Sequence, residues 1–227
     1  MESVAVLVSG GMDSCILMME LIRRGYRVHP IYLQHDLYWE EVELQSLKQF
    51  LAAVPKDGLE PLTVLKLPVD DLYGQHWSVT GVGVPDQNTE DDAVYLPGRN
   101  LLLLAKISVW CSLNQVFKVA LAPLKGNPFS DNSSEFYASM EQSMEIALGQ
   151  AVEVIRPFSR LSKDEVIALG EGLPLALTFS CIRPANGLHC GRCNKCAERQ
   201  KAYQNLNQVD ATRYAFADSL SELKTNV

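Results

Sequence analysis

Two groups of residues in this chain have the types and spacing that chemistry needs. The first is Ser9-Gly10-Gly11-Met12-Asp13-Ser14. It follows a β-branched apolar run over residues 3–8 and precedes residues 15–24, whose apolar positions recur at helical spacing. Adjacent glycines let a backbone turn sharply and approach a ligand closely. A helix start adds unpaired N–H groups and the positive end of the helix dipole. Ser9 and Ser14 add hydroxyls. Ser9, Gly10, Gly11, Met12 and Ser14 are therefore candidate phosphate-binding residues. The segment lacks the Lys of GxxxxGK[ST] and is not GxGxxG. The bland alternative is a tight strand–helix turn capped by Asp13 or a serine.

The second group is Cys181-x8-Cys190-x2-Cys193-x2-Cys196. Four thiolates this close suit a closed tetrahedral Zn²⁺ site of structural type. Gly191 and Asn194 ease the tight turns, and Arg192, Lys195 and Arg199 offset the charge of four thiolates. An iron–sulfur cluster is the competing ligand set, and two disulfides are the remaining reading. His189 adjoins Cys190 as an alternative ligand. Cys15 and Cys111 fall on apolar helix faces and read as plain core residues.

The elements that must position these groups alternate. Strands are expected at residues 3–8, 28–33, 62–67, 116–122 and 152–155. Helices are expected at 15–24, 40–54, 100–113, 135–148, 162–170 and 197–205. Ser162 and Glu165 form a capping box for the fifth of these helices, at 162–170. This order implies a doubly wound parallel sheet with helices on both faces and right-handed crossovers. The glycine loop then lies at the C-terminal end of a parallel strand, where such sheets bind ligands. Residues 68–97 form an irregular excursion, functional or mobile, with Gly81 and Gly83 as a flexible lid. The acidic run Glu90-Asp91-Asp92 reads as solvated loop. Trp39, Trp77 and Phe129 are candidates to stack on a purine-like base. Two units are expected: an α/β domain over 1–175 and a small cysteine-bearing helical element over 176–227.

Composition narrows the function. The 227 residues carry 20 Lys+Arg against 27 Asp+Glu, a net charge of −7, which argues against broad nucleic-acid binding. No apolar run approaches the roughly 18–20 residues of a membrane span. The start Met1-Glu2-Ser3 lacks the basic residues of a signal peptide. A cytoplasmic protein is expected, and clustered cysteines in a reducing compartment favour metal.

The SGGMDS hexapeptide resembles the pyrophosphate loop of the N-type ATP pyrophosphatases (PP-loop superfamily), whose members cleave ATP between the α and β phosphates. Together with the cysteine spacing, the block Tyr95-Leu96-Pro97-Gly98-Arg99-Asn100, and the pair Pro157 and Lys163, it resembles the 7-cyano-7-deazaguanine synthase family of the queuosine pathway. The resemblance spans positions 9–196. It implies an adenine nucleotide alpha hydrolase-like, Rossmann-like fold with a C-terminal zinc element. It implies that Ser9, Gly10, Gly11 and Ser14 hold pyrophosphate, and that Asp13 caps the helix or helps hold Mg²⁺. Lys163 and Arg99 are the candidate cations near the polyphosphate. Gly98, Asn100, Phe129 and Asp131 are the candidate substrate contacts. Cys181, Cys190, Cys193 and Cys196 hold structural Zn²⁺.

The implied reaction is ATP-dependent. The carboxylate of 7-carboxy-7-deazaguanine attacks the α-phosphate, ammonia converts the acyl-adenylate to an amide, and a second activation gives the nitrile. ATP, ammonia and a deazapurine carboxylate are the implied partners, with a homodimer as the assembly and no direct nucleic-acid contact. Two segments depart from the family pattern. Residues 32–39 replace a Gln-Arg-His segment with a different order and two extra residues. In residues 128–136 Asp131, Glu135 and Phe136 keep their places, but Phe129, Asn132 and Ser133 stand where the family has Tyr, Cys and Arg. Losing an Arg removes a bidentate anion partner. A related ligase acting on another carboxylate, or a tRNA-modifying relative, is the alternative.

Overall fold

The computed structural model describes residues 1–216 of the chain. Positions 217–227, within the expected C-terminal element, lie outside the described residues. Five parallel strands, β1 (Ser3–Leu7), β2 (Arg27–Gln34), β3 (Thr63–Lys66), β4 (Lys118–Ala120) and β5 (Glu153–Ile155), form one sheet in the order β3-β2-β1-β4-β5. The order reverses between β1 and β4, so the crevice outside their C-terminal ends is the topological switch point.

Eight helices accompany the sheet among the described residues: α1 (Met12–Arg23), α2 (Glu40–Ala53), α3 (Asp70–Tyr73), α4 (Trp77–Thr80), α5 (Arg99–Asn114), α6 (Ser134–Leu148), α7 (Lys163–Leu169) and α8 (Asn194–Asn205). The period-2 alternation of β1 sorts six of them onto two faces. Val4 and Val6 point into a cluster with Ile16, Leu47, Phe50, Val166 and Ala202, from α1, α2, α7 and α8. Ala5 points the other way, into a cluster with Leu104, Ile107, Tyr137 and Met144, from α5 and α6. Cys15 lies in the first cluster and Cys111 in the second, both fully buried. Burial pushes both thiols upward, that of Cys111 to about 12.

The capping box at α7 is present: Ser162 Oγ accepts from Glu165 N, and the Glu165 carboxylate accepts from Ser162 N at 2.7 Å. The excursion over 68–97 differs from the expected irregular loop. It contains α3, α4 and a 3-10 turn at Asp91–Val94. It is also pinned to the cysteine element, with Asn194 N donating to Pro85 O and Gln87 N to Arg192 O, both at 3.0 Å. Gly81 is no free hinge. It ends α4 in the left-handed region, and a Cβ there would lie 2.5 Å from the Tyr38 ring. A third apolar cluster joins this excursion to the cysteines through Val69, Val94, Leu96, Phe179 and Ile182.

Candidate active site

The SGGMDS segment turns from β1 into α1 with Gly10 at φ +75°. A Cβ on Gly10 would lie 3.0 Å from Glu43 O and 3.3 Å from Leu47 Cβ, so this position needs glycine for both conformation and space. The loop is braced internally. Ser9 N donates to Ser14 Oγ at 3.1 Å, and Ser14 Oγ donates to Gly11 O at 3.1 Å. It is braced externally by Phe179 N, which donates to Gly10 O at 2.8 Å. Gly11 is the N-cap of α1 and no side chain caps it, so Asp13 is not the cap.

Asp13 instead joins a charge cluster. Lys163 Nζ lies 2.8 Å from Asp13 Oδ2 and 3.2 Å from Glu198 Oε1, and Lys195 Nζ lies 2.7 Å from Glu198 Oε2. Burial alone would lower the Lys163 ammonium, but Asp13 and Glu198 outweigh it and hold it above its ordinary value. Asp13 Oδ1 is buried without a hydrogen-bond partner. A carboxylate oxygen so placed, beside Ser9 and Ser14, fits a cation with oxygen ligands such as Mg²⁺.

A cleft of about 270 Å³ opens at the switch point. Ser9, Asp13 and Ser14 of the loop line it together with Tyr95, Arg99, Asn100, Phe129 and Asp131. Leu121, Ala122 and Pro123, which continue from the end of β4, also line it; the strand expected to reach 122 stops at Ala120. Lys163 borders an adjoining cavity that shares Asp13, Pro123 and Phe129. Met12 turns its side chain into the core beneath the loop, leaving only its backbone for a ligand. Gly98 is the left-handed N-cap of α5, at φ +71°, and serves by starting that helix beside the cleft.

Arg99 is the first residue of α5, and its Nε is buried without a hydrogen-bond partner. Asn100 is no cap; Asp131 is. Asp131 Oδ2 accepts from Asn100 N at 3.0 Å, and Asn100 Nδ2 donates to Asp131 O at 2.9 Å. The remaining oxygen, Asp131 Oδ1, is buried and unpartnered. Phe129 stacks on Tyr95 with ring centroids 4.9 Å apart. Trp39 and Trp77 stack on each other, centroids 5.8 Å apart, in the apolar cluster beside the cysteines. Asn132 Oδ1 accepts from Tyr137 OH at 3.1 Å, and Ser133 Oγ caps α6 by accepting from Phe136 N at 3.0 Å.

Glu43 and Glu198 carried no legible signal. Glu43 on α2 lines the cleft and accepts from Tyr32 OH at 2.8 Å. Burial pushes its carboxyl up to about 7 against the opposing pull of Arg99. His35 differs: its place just past a strand end in the sequence already put it within reach of the site, and it lines the cleft. Burial and the nearby Arg99 lower its imidazole to about 3. Its backbone N–H and that of Asp36 donate to the Glu40 carboxylate. Glu198 joins through α8. The two glutamates sit among other Glu residues on ordinary amphipathic helices, and spacing alone does not separate them.

The four cysteine sulfurs lie within 4.8 Å of one another, all buried, and no disulfide links them. The pairs Cys190–Cys196 and Cys181–Cys193 are 3.9 and 3.8 Å apart. A tetrahedron with metal–sulfur bonds near 2.3 Å has edges of about 3.8 Å, so the cluster fits one metal ion. His189 is not part of it; its Nε2 accepts from Ser180 N at 3.1 Å. The thiolate charge is met by backbone N–H groups: those of Arg183 and Cys190 reach Cys181 Sγ, and those of Arg192 and Cys193 reach Cys190 Sγ, all at 3.3 Å. Two of the cations expected there are engaged elsewhere. Lys195 pairs with Glu198, and Arg199 donates to Thr212, Thr178 and Leu175 O. Asn194 does not form a turn; it opens α8 and donates through Nδ2 to Thr89 O at 2.9 Å. Tyr214 packs edge-on against His189, docking the described part of the tail.

Known proteins are similar to this chain over most of its length. The chain is 28% identical over 221 residues to 7-cyano-7-deazaguanine synthase 1 of Desulfitobacterium hafniense, covering 96% of this chain and 98% of that one. It is 28% identical over 230 residues to 7-cyano-7-deazaguanine synthase of Methanothermobacter thermautotrophicus, covering 94% and 99%. Its fold is that of a 4-thiouridine synthetase solved in complex with RNA and bound ATP: TM-score 0.51 at 15% identity, over 91% of this chain and 50% of that one. No helix among the described residues is long and apolar enough to cross a membrane. The family described as queuosine biosynthesis protein QueC matches residues 3–207, and the chain belongs to that family.

Proposed function

We propose that the chain converts 7-carboxy-7-deazaguanine and ammonia to 7-cyano-7-deazaguanine at the expense of ATP, through an acyl-adenylate and an amide. The observation that carries this reading is one cleft lined both by the phosphate-type loop and by Tyr95, Phe129, Arg99 and Asp131. Adenylation needs the substrate carboxylate and the α-phosphate held within contact of each other, and one continuous cleft meets that need.

In this reading Ser9, Gly10, Gly11, Ser14 and the backbone of Met12 hold the pyrophosphate through N–H and hydroxyl donors. Asp13 Oδ1 is the free oxygen for Mg²⁺, which supplies charge neutralisation for the leaving pyrophosphate. Lys163 is held charged beside it by Asp13 and Glu198. Arg99 neutralises the reacting carboxylate or the α-phosphate. The Tyr95–Phe129 pair offers a stacking face for the deazapurine, and Asp131 Oδ1 accepts from its N–H edge. The four cysteines hold structural Zn²⁺, which fixes the segment that braces the loop through Phe179. A cytoplasmic homodimer is the assembly in this reading; Leu101, Val109 and Leu113, 47%, 47% and 79% exposed along α5, support a contact between copies.

The test is pyrophosphate release with ATP, Mg²⁺ and ammonium, with and without 7-carboxy-7-deazaguanine, followed by mass analysis. Substrate-dependent AMP and a nitrile product are expected. A second reading rests on the loop at 128–136. Ser133, standing where the family has Arg, is used as a helix cap. ATP binding without turnover of 7-carboxy-7-deazaguanine would favour a ligase acting on another carboxylate.

A further inference from the structure

The chemistry proposed above releases a proton that no residue assigned so far accepts. When ammonia adds to the acyl-adenylate, an N–C bond forms. The C–O bond to AMP breaks, taking its electron pair, and the nitrogen sheds one N–H proton. The cleft offers few acceptors for it. Asp13 is paired with Lys163 at 2.8 Å. Asp131 caps α5 through Asn100. His35 is a weak base, its imidazole lowered to about 3 by burial and Arg99. The phenols of Tyr32 and Tyr137 are pushed up by burial, Tyr137 to about 12.

Glu43 differs from all of these. It lines the cleft together with Ser9 and Arg99, and its backbone carbonyl packs against Gly10 of the loop. Tyr32 OH donates to its Oε2 at 2.8 Å and fixes the carboxylate direction. We propose that Glu43 is the proton acceptor for the attacking amine and that Tyr32 is its positioning residue. The inference rests on the function proposed above and adds a catalytic residue to it.

The groups facing Glu43 are Tyr32 from β2, Arg99 from α5, Cys15 from α1, and Trp39 and Glu40 at the start of its own helix. The 3-10 turn Leu175–Leu177 packed on α2 carries no titratable side chain. Burial raises the carboxyl and Arg99 pulls it back, leaving it at about 7. A general base is most effective when its proton affinity is near the working pH. Glu43 accepts a proton only when ionised, so amide formation falls as pH drops through about 7.

The experiment separates the two half-reactions. Carboxylate-dependent ATP–pyrophosphate exchange reports adenylation; amide and nitrile formation on adding ammonium reports the amine step. Wild type, Glu43→Gln, Glu43→Asp and Tyr32→Phe are compared across pH. The free-ammonia fraction changes equally for all, so ratios between variants are read. Glu43→Gln is expected to retain exchange within about threefold and to lose amide formation by about 100-fold or more, the typical contribution of a general base. Glu43→Asp restores part of the rate. Tyr32→Phe, which removes a hydrogen bond that favours the carboxylate, moves the acid limb to higher pH. Parallel loss of exchange and amide formation in Glu43→Gln, or unchanged amide formation, overturns the assignment. Absence of exchange in the wild-type enzyme overturns the underlying function, and this inference with it.

Discussion

The Lys163 ammonium lies 2.8 Å from Oδ2 of Asp13, joining the first turn of α1 to the first residue of α7 across 150 positions of sequence. With Glu198 at 3.2 Å, it ties the phosphate-type loop to α8, the helix that carries Cys196 of the cysteine cluster. Replacing Lys163 with Met is expected to abolish pyrophosphate release and to destabilise the fold by about 2 kcal/mol. That is below the value for a fully buried pair because all three side chains keep some solvent contact.

The same cluster sets an acid-sensitivity. Burial alone would raise the Glu198 carboxyl, but Lys163 and Lys195 outweigh it and lower it from 4.5 to about 2. A carboxyl depressed in the folded state adds stability that is complete above its unfolded value and is lost as pH falls toward the folded one. Stability is therefore expected to fall between about pH 5 and pH 2. Thermal melts across that window should show a shallower decline in Lys163→Met, which removes one of the two cations responsible.

Gly10→Ala tests the loop. The left-handed conformation and the 3.0 Å approach to Glu43 O both oppose a Cβ. A loss of about 2 kcal/mol or more in chemical denaturation is expected. ATP affinity should drop by about tenfold, measured by titration, because the loop must shift away from α2 to admit the methyl group.

Metal removal should act at a distance. One ion per chain is expected by elemental analysis, and chelation should lower the melting temperature. The amides of Gln87 and Asn194, bonded to Arg192 O and Pro85 O, should lose protection from hydrogen exchange. The Phe179 amide, bonded to Gly10 O, should follow them. Retained protection at Phe179 would show that the loop is braced independently of the metal.

Arg99→Lys keeps the charge and removes the planar fork. The apparent KM for the carboxylate substrate or ATP should rise by about 10-fold to 100-fold with the melting temperature unchanged. An effect confined to stability would instead assign Arg99 to the start of α5 rather than to ligand.

What the sequence determined by itself was local. The alternation of strands and helices follows from apolar periodicity. The sharp turn at Gly10 follows from a conformation only glycine adopts cheaply. The capping box at Ser162 and Glu165 is a three-residue rule. The cysteine spacing places four thiols within reach of one ion. These features depend on residues a few positions apart, so they can be read from the chain. The tertiary structure decided which distant residues meet: Asp13 with Lys163, Asn100 with Asp131, Tyr32 with Glu43, and Phe179 with Gly10. Those encounters depend on the strand order and on which face of the sheet each crossover helix takes. That is why Glu43, one of three carboxylates in the first turn of α2, was indistinguishable from its neighbours until the sheet set α2 against the loop. It is also why the excursion over 68–97, apparently unstructured in sequence, proved to be held by Arg192 and Asn194, more than a hundred residues downstream of the excursion residues they bond.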